Sequence, residues 1–220
     1  MCTLYSQVKA QAEIRALINA IYDTSGNQRP QPAIFPDYVA PVVRETDKGR
    51  ELTKMRWGFP PPEYAKASGP VVNARDTDKK FWQKWLVPIE HRCLVPATSF
   101  SEWTDEPDPK TKRKVVTWFA LSRERPLFFF AGVWRKWTGT RGTKKEPVEG
   151  DHLLYSFLTT DANKTVRPIH KKAMPVILTT PTEWETWLKA PVEEALKLQK
   201  RVLPEKVLQI VASGEMKDAA

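Results

Sequence analysis

Residues 127–133 read LFFFAGV, an unbroken apolar run with the length and aromatic content of a β-strand. Other short runs of this kind recur along the chain: Tyr38–Val43, Val71–Asn73, Cys93–Val95, Val115–Leu121, Leu153–Thr159 and Pro175–Leu178. Many short strands in one chain predict a strongly bent sheet or barrel at the centre of the fold.

Helices are predicted before and between these strands. Residues 12–22, AEIRALINAIY, carry isoleucine and leucine at the i, i+3, i+4, i+7 spacing of an amphipathic helix. A second helix is predicted near Lys79–Leu86, with Phe81, Trp82 and Trp85 on one side.

The sequence TPTE at 180–183 predicts the start of a third helix. Thr180 suits the cap, Pro181 the first helical position and Glu183 the capping box. The helix continues through EWETWLKA, and PVEEALKLQK after it predicts another short helix.

These elements together define an α+β fold with peripheral helices. The sequence predicts a single domain over residues 1–204, followed by a partly frayed C-terminal tail at 205–220. The charged stretches 104–114 and 138–150 are predicted to be mobile loops.

The composition is that of a globular chain. It has 220 residues, of which 41% are hydrophobic, enough for a domain with a core. No apolar run approaches the ~18 residues of a membrane span, and the N-terminus lacks a signal-peptide pattern. Two distant cysteines, Cys2 and Cys93, make no disulfide framework. We therefore expect a reducing compartment, the cytoplasm, with nucleoid association in a bacterium and no membrane partner.

The charge balance favours an anionic partner. Lys and Arg number 35 against 26 Asp and Glu, a formal charge of +9, which is typical of nucleic-acid binding. Nine tryptophans could fill the core or stack on bases, and the core is the default reading for most of them.

Cys2 follows the initiator methionine directly. Removal of Met1 would leave a free α-amine and a thiol on adjacent carbons, a 1,2-aminothiol that no internal cysteine can form. The plainer alternative is that this cysteine has no special role. Cys93 reads as a core residue of a buried strand.

Three polar residues lie within or beside apolar runs, where burial of a polar side chain costs free energy. Asn73 follows VV, Glu102 lies among aromatic residues, and His170 precedes an apolar strand. Their side chains suit orientation, proton transfer and charge stabilisation. Each also has a structural alternative, respectively a turn asparagine, a solvent-facing strand glutamate and a satisfied structural histidine. No CxxC, HExxH, P-loop or GxSxG motif occurs, so no metal or cofactor is expected.

Taken together, the motifs resemble the SOS-response-associated peptidase (SRAP) family. They follow the family's order across nearly the whole chain: MC at 1–2, RWG at 56–58, NAR at 73–75, RCLVPA at 92–97, SFSEW at 99–103, FFAGVW at 129–134, TTDAN at 159–163, IH at 169–170 and MPVIL at 174–178.

The resemblance implies a single twisted, antiparallel barrel-like domain that acts as a monomer. It implies binding of single-stranded DNA that contains abasic sites, and a covalent link from the N-terminal cysteine, in the DNA damage response. The catalytic residues that it implies are Cys2 as nucleophile, Asn73, Glu102 and His170. The resemblance implies Arg75 as a contact to the DNA backbone. Further candidates for DNA contacts are Arg56, Trp57, Lys171 and Lys172.

The sequence departs from the family's usual pattern at two places. Thr3 and Leu4 stand where Met-Cys-Gly-Arg is usual, and the usual His-x-Arg-Met-Pro is one residue longer here, HKKAMP at 170–175. Lys171 or Lys172 would then replace the arginine as a phosphate contact, without its bidentate geometry.

The implied reaction joins the Cys2 α-amine to the aldehyde of an open abasic sugar as a Schiff base, which the thiol closes to a thiazolidine. This is a lyase-like activity. Removal of Met1 by a cellular aminopeptidase is one route, and self-cleavage is the other, which would add a hydrolase activity. Two alternatives remain: an N-terminal-nucleophile peptidase acting on other proteins, and a single-stranded-DNA-binding module without covalent chemistry.

Overall fold

The computed structural model describes residues 2–65 and 69–218. The strands, in chain order, are β1 (Tyr5–Gln7), β2 (Tyr22–Asp23), β3 (Gln31–Ile34), β4 (Val39–Thr46), β5 (Gly49–Trp57), β6 (Asn73–Ala74), β7 (Arg92–Ala97), β8 (Ser99–Trp103), β9 (Val116–Ala120), β10 (Phe128–Gly142), β11 (Pro147–Thr160), β12 (Met174–Pro175), β13 (Ile177–Leu178) and β14 (Gln209–Ser213). The helices are α1 (Gln11–Leu17), α2 (Lys80–Leu86), α3 (Pro181–Lys189), α4 (Val192–Ala195) and α5 (Lys197–Lys200), with 3₁₀ turns at Ile89–His91 and Glu205–Val207.

Strand β10, which holds all of the LFFFAGV run except Leu127, is one strand of a closed ring. The ring runs β11–β10–β7–β4–β5, and β5 returns to pair with β11. Its pairs are antiparallel except for the closing β5–β11 pair, which is parallel. The structure therefore confirms the predicted α+β class and barrel-like core.

A second sheet, in the order β14–β9–β8–β1–β3, shares its core with the ring. Tyr5 of β1 meets the ring's aromatic side chains edge-on, with its centroid 5.1 Å from Trp57 and 5.5 Å from Phe130. Trp57 stacks on Phe157 at 5.1 Å. Fully buried aromatic side chains of this size dominate core stability, so the N-terminal strand is anchored at its first residue, Tyr5.

The helices cover the other face of the ring, and three of the helix predictions are confirmed. Helix α2 buries Trp82 and Trp85. Thr180 caps α3 through the predicted capping box with Glu183. Trp187 of α3 donates its indole N–H to the Cys93 carbonyl at 2.9 Å, which ties this helix to the barrel. The segment after α3 forms α4 and α5, as predicted.

The first helix is shorter than predicted. It ends at Leu17, because Asn19 takes a left-handed conformation (φ 50°) and the Ile21 N–H bonds to the Arg50 carbonyl instead. The chain then adds β2 beside β5. Ile21, expected on the buried helix face, is consequently 67% exposed.

Two segments expected to be loose are part of the sheets. Strands β10 and β11 continue as a paired hairpin to Gly142 and Pro147, so the stretch 138–150 is not a loop except at its tip. Residues 205–220 are not a frayed tail as far as they are described: β14 pairs with β9, and Asp218 is buried against Arg125. The stretch 104–114 does lack helix and strand.

Within residues 2–65 and 69–218, no helix is long and apolar enough to cross a membrane.

Candidate active site

The site lies where the N-terminal strand of the second sheet meets the barrel. Strand β1 pairs with β8 with Tyr5 opposite Phe100, and just before it the Leu4 carbonyl accepts the Ser101 N–H at 3.0 Å. This register brings Cys2 beside Glu102. Cys2 is fully buried, and its thiol donates to the Leu4 carbonyl at 3.5 Å.

Asn73 holds Cys2 from the barrel side. It begins β6, which pairs with β11 opposite Phe157, and its Nδ2 donates to the Cys2 carbonyl at 2.8 Å. The buried Oδ1 of Asn73 accepts no hydrogen bond from the residues that the structure describes. An amide in this position can orient the start of the chain and still accept one further donor.

Glu102 is buried at the end of β8, with a side chain only 3% exposed. Burial raises the pKa of its carboxyl to about 7, and the charge of Asp105 adds to the increase. A carboxyl with this pKa exists in both protonation states near neutrality, which is the condition for a proton shuttle. The solvent-facing alternative for Glu102 is therefore wrong.

His170 lies between two carboxylates. Its Nε2 is 3.7 Å from the Glu102 Oε2, and its Nδ1 is 3.0 Å from the Asp105 Oδ1. Burial lowers the pKa of the His170 imidazole, and Lys172 acts in the same direction while Asp105 opposes them. The ring is therefore neutral over most of the physiological range.

Burial raises the pKa of the Cys2 thiol well above its ordinary value, and the charge of Glu102 raises it further. Cys2 is therefore a thiol and not a thiolate in this setting. A thiol reacts as a nucleophile when a base takes its proton, and Glu102 is the neighbouring base.

Three of the candidate DNA-contacting residues flank this cluster. Arg75 lies two residues after Asn73 and pairs with the exposed carboxylate of Asp161. Lys171 and Lys172 directly follow His170, and both are exposed.

The other two candidates are held elsewhere. Arg56 donates from Nη1 to the Asp37 carbonyl at 2.6 Å and is largely buried. Trp57 is wrong as a DNA contact: it is fully buried, it donates its indole N–H to the Val72 carbonyl at 3.1 Å, and it offers no face to a ligand. Alternating strand faces explain the error, since the residue before Trp57 points away from the core and Trp57 points into it.

Asp105 was not identified from the sequence. It follows the SFSEW motif by two positions in the acidic stretch TDEPD, where nothing distinguishes it from Glu106 or Asp108. Only the folded chain brings this loop against the segment that follows β11, so its contact with His170 had no local signal.

The fold and the site define a class: a small barrel domain whose second residue, a cysteine, is buried beside a glutamate–histidine pair and held by an asparagine. The chain belongs to the SOS response associated peptidase (SRAP) family, whose profile matches residues 1–213.

Curated relatives and solved structures agree with this membership. The abasic site processing protein YoqW of Bacillus subtilis is 33% identical over 170 residues, which cover 74% of this chain and 68% of the relative. The abasic site processing protein YoaM of the same species is 31% identical over 186 residues, which cover 81% of this chain and 74% of the relative.

Two crystal structures share the fold. A protein from Bacteroides thetaiotaomicron aligns with a TM-score of 0.70 at 21% identity, over 94% of this chain and 90% of that one. A phage-related protein from Bordetella bronchiseptica aligns with a TM-score of 0.68 at 22% identity, over 94% of this chain and 92% of that one.

Proposed function

We propose that this protein processes abasic sites in DNA by forming a covalent thiazolidine link through Cys2 after Met1 has been removed. The observation that carries the proposal is the placement of Cys2. The second residue of the chain is fixed by Asn73 and lies beside a buried carboxyl with a pKa of about 7. The names of the curated relatives, abasic site processing proteins, support the same substrate.

Removal of Met1 makes Cys2 the end of the chain and frees its α-amine. An α-amine titrates near pH ~7.7–8, so about a tenth to a sixth of it is neutral and nucleophilic at pH 7. The Asn73 Oδ1, a buried acceptor, lies on the residue that already binds the Cys2 carbonyl and is suited to orient this amine.

The first bond forms between the α-amine nitrogen and C1 of the opened abasic deoxyribose. Protonated Glu102 gives its proton to the sugar ring oxygen as the ring opens, and the resulting carboxylate takes the proton of the C1 hydroxyl, which leaves C1 as an aldehyde. After the amine adds, the carbinolamine oxygen takes a proton and leaves as water, and a protonated imine remains. His170 lies at the edge of this cluster, where its Nε2 can accept a hydrogen bond from the freed hydroxyl of the sugar.

The second bond forms between the Cys2 sulfur and the same carbon. Ionised Glu102 takes the thiol proton as the sulfur adds, and the C=N electrons move to nitrogen to give a neutral amine in a five-membered ring. The product equals protein plus DNA less one water. Ring closure is fast because both nucleophiles belong to one residue.

DNA binding rests on the basic residues around the site. We propose that Arg75, Lys171 and Lys172 contact backbone phosphates, with Arg56 a more remote candidate. Nucleotides flanking an abasic site must leave a duplex stack for the sugar to reach a buried amine, which favours single-stranded DNA. The chain then acts as a monomer, since one chain supplies every residue of the site.

Intact mass tests the proposal directly. The purified protein is weighed before and after incubation with a single-stranded oligonucleotide that carries one abasic site. We expect loss of Met1, and then a gain equal to the oligonucleotide mass less 18 Da for one water. Cys93→Ala is the matched control, because Cys93 is the other cysteine and lies buried in β7. It should form the adduct, whereas Cys2→Ala should not.

The remaining outcomes separate the alternatives. An adduct in Cys2→Ala would overturn the proposal. Binding of the oligonucleotide without any adduct, with Met1 absent, would support a non-covalent DNA-binding module. Cleavage of a protein substrate that depends on Cys2 and ignores DNA would support a peptidase.

A further inference from the structure

We propose that Asp105 is a positioning residue for the reaction, which holds the His170 imidazole in the tautomer that turns Nε2 toward Glu102. This inference rests on the proposed function for its catalytic consequence, but its structural part is independent of it. The geometry that carries it is a set of three contacts between Asp105 and the segment around His170.

Asp105 is joined to each of three consecutive residues. Its N–H donates to the Ile169 carbonyl at 2.9 Å, its Oδ1 lies 3.0 Å from the His170 Nδ1, and its Oδ2 accepts the Lys171 N–H at 2.8 Å. Both carboxylate oxygens and the backbone are thus engaged. An aspartate that formed only an incidental ion pair with a histidine would make the side-chain contact without the two hydrogen bonds to neighbouring backbone groups.

The contacts fix which ring nitrogen carries a proton. A carboxylate can only accept, so the His170 Nδ1 must be the protonated nitrogen. The Nε2 of neutral His170 then carries a lone pair and lies 3.7 Å from the Glu102 Oε2. Carboxylates that hold an imidazole in one tautomer are known to raise the rate of proton transfer at the other nitrogen.

Asp105 is suited to this role because it stays ionised. The Lys171 N–H holds the pKa of its carboxyl below the usual range, and His170 and Lys114 act in the same direction. Among the residues that the structure describes, the charged groups noted around His170 are Glu102, Asp105 and Lys172. Of these, Asp105 raises the pKa of the imidazole and Lys172 lowers it.

The tautomer can be measured in the unmodified protein. Nitrogen-15 chemical shifts of the imidazole distinguish Nδ1–H from Nε2–H when His170 is neutral. The chain has three histidines, so His91→Gln and His152→Gln identify the His170 signals. We expect Nδ1–H for His170, the minor form of free histidine. A majority of Nε2–H would overturn the proposal without any substitution at Asp105.

Asp105→Asn removes the charge and keeps an oxygen that can accept the Lys171 N–H. We expect the NMR titration midpoint of His170 to fall by about one pH unit. Asp108→Asn is the matched control, since Asp108 also accepts two backbone N–H groups in the same loop, from Lys110 and Thr111. An unchanged His170 midpoint in Asp105→Asn would contradict the proposal.

The catalytic consequence is tested by single-turnover crosslinking between pH 5 and 9. Asp105→Asn should slow the reaction roughly 10- to 100-fold and shift its acidic limb, with DNA affinity unchanged. Asp105→Glu should recover part of the rate, and Asp108→Asn should match wild type. If Asp105→Asn and Asp108→Asn lower the crosslinking rate equally at every pH, Asp105 only maintains the structure of the loop.

The two proposals fail in distinguishable ways. If wild-type protein without Met1 forms no adduct, the proposed function fails, and the His170 tautomer still decides the role of Asp105. If wild type forms the adduct and Asp105→Asn reacts at the same rate and pH profile, only the positioning role is overturned.

Discussion

The side-chain amide of Asn73 donates to the carbonyl oxygen of Cys2 at 2.8 Å, and this bond joins the barrel to the N-terminal strand of the second sheet. The two residues are 71 positions apart in the chain. The bond therefore forms only in the folded protein, and it fixes Cys2 relative to the rest of the candidate site.

Asn73→Ala should slow crosslinking about tenfold, because the Cys2 amine loses its orientation. It should also cost about 1–2 kcal/mol of unfolding free energy, since a buried carbonyl loses its donor. Asn163→Ala is the control: Asn163 is likewise buried, and it bonds to Thr165, Val166 and Leu203. Single-turnover rates and urea unfolding of both variants separate orientation from stability, and equal rates in the two would contradict the role of Asn73.

Glu102→Gln should slow crosslinking by roughly 100-fold, because glutamine cannot give or take the proton. The affinity for DNA should be nearly unchanged, since the buried side chain is not among the proposed phosphate contacts. Glu106→Gln, in the exposed loop beyond β8, is the matched substitution and should react like wild type. A crosslinking rate in Glu102→Gln equal to that of wild type would remove Glu102 from the proton transfers.

The raised pKa of Glu102 also predicts how stability changes with pH. The folded chain favours the protonated carboxyl, with a pKa of about 7 against an ordinary value of 4.5. The contribution of Glu102 to the free energy of unfolding is fully present below pH 4.5 and is lost as the pH rises through 7. Wild type should therefore lose roughly 2–3 kcal/mol relative to Glu102→Gln between pH 4.5 and 8.

Urea unfolding of the two proteins across that range measures this difference. A constant difference between them would show that Glu102 titrates at its ordinary pKa in the fold.

Arg75→Ala should weaken DNA binding and lower the slope of log affinity against log salt by about 0.7, the value for one phosphate on single-stranded DNA. Asp161→Asn should strengthen DNA binding, because it frees the Arg75 guanidinium from its surface partner. Lys197→Ala breaks a comparable surface pair with Glu194 and serves as the control. Fluorescence anisotropy at several salt concentrations measures both quantities, and equal slopes for Arg75→Ala and Lys197→Ala would exclude Arg75 from the contacts.

Asp218→Ala should destabilise the fold by about 3 kcal/mol, because it leaves the buried guanidinium of Arg125 without a counter-charge. Asp218 also accepts from Ser99 at the start of β8 and donates its N–H to the Pro32 carbonyl, so it braces the sheet that carries Cys2 and Glu102. Glu215→Ala, an exposed neighbour, should have little effect. Comparable unfolding midpoints for the two variants would mean that the end of the chain is loose.

Local sequence patterns predicted the elements that are determined by residues close together in the chain. The capping box of Thr180 and Glu183 and the apolar run of β10 are fixed by neighbours in sequence, and both are present as expected. Strand β5 was not predicted, because its apolar residues Leu52, Met55 and Trp57 stand at uneven spacing among charged ones, and its partner β11 is distant in sequence. The end of α1 was missed because a contact with Arg50, 29 residues after Ile21, outcompetes the helical pattern.

The residues of the candidate site also divide into those predicted from local motifs and those that depend on the folded chain. Cys2, Asn73, Glu102 and His170 were found by their motifs, and the structure brings them together. Asp105 was missed and Trp57 was misplaced, because neither a long-range contact nor the choice of strand face can be read from residue type alone.

Because Cys2 is completely buried in the folded chain, it is accessible only for a limited time during protein synthesis. Strand β8, the partner that encloses the start of the chain, is synthesised roughly a hundred residues later, about 5–20 s at ribosomal rates. Within that interval the nascent N-terminus is open to a cellular aminopeptidase. Once β8 has paired, Cys2 is enclosed, and an outside enzyme that must reach it would have to loosen the edge of the sheet.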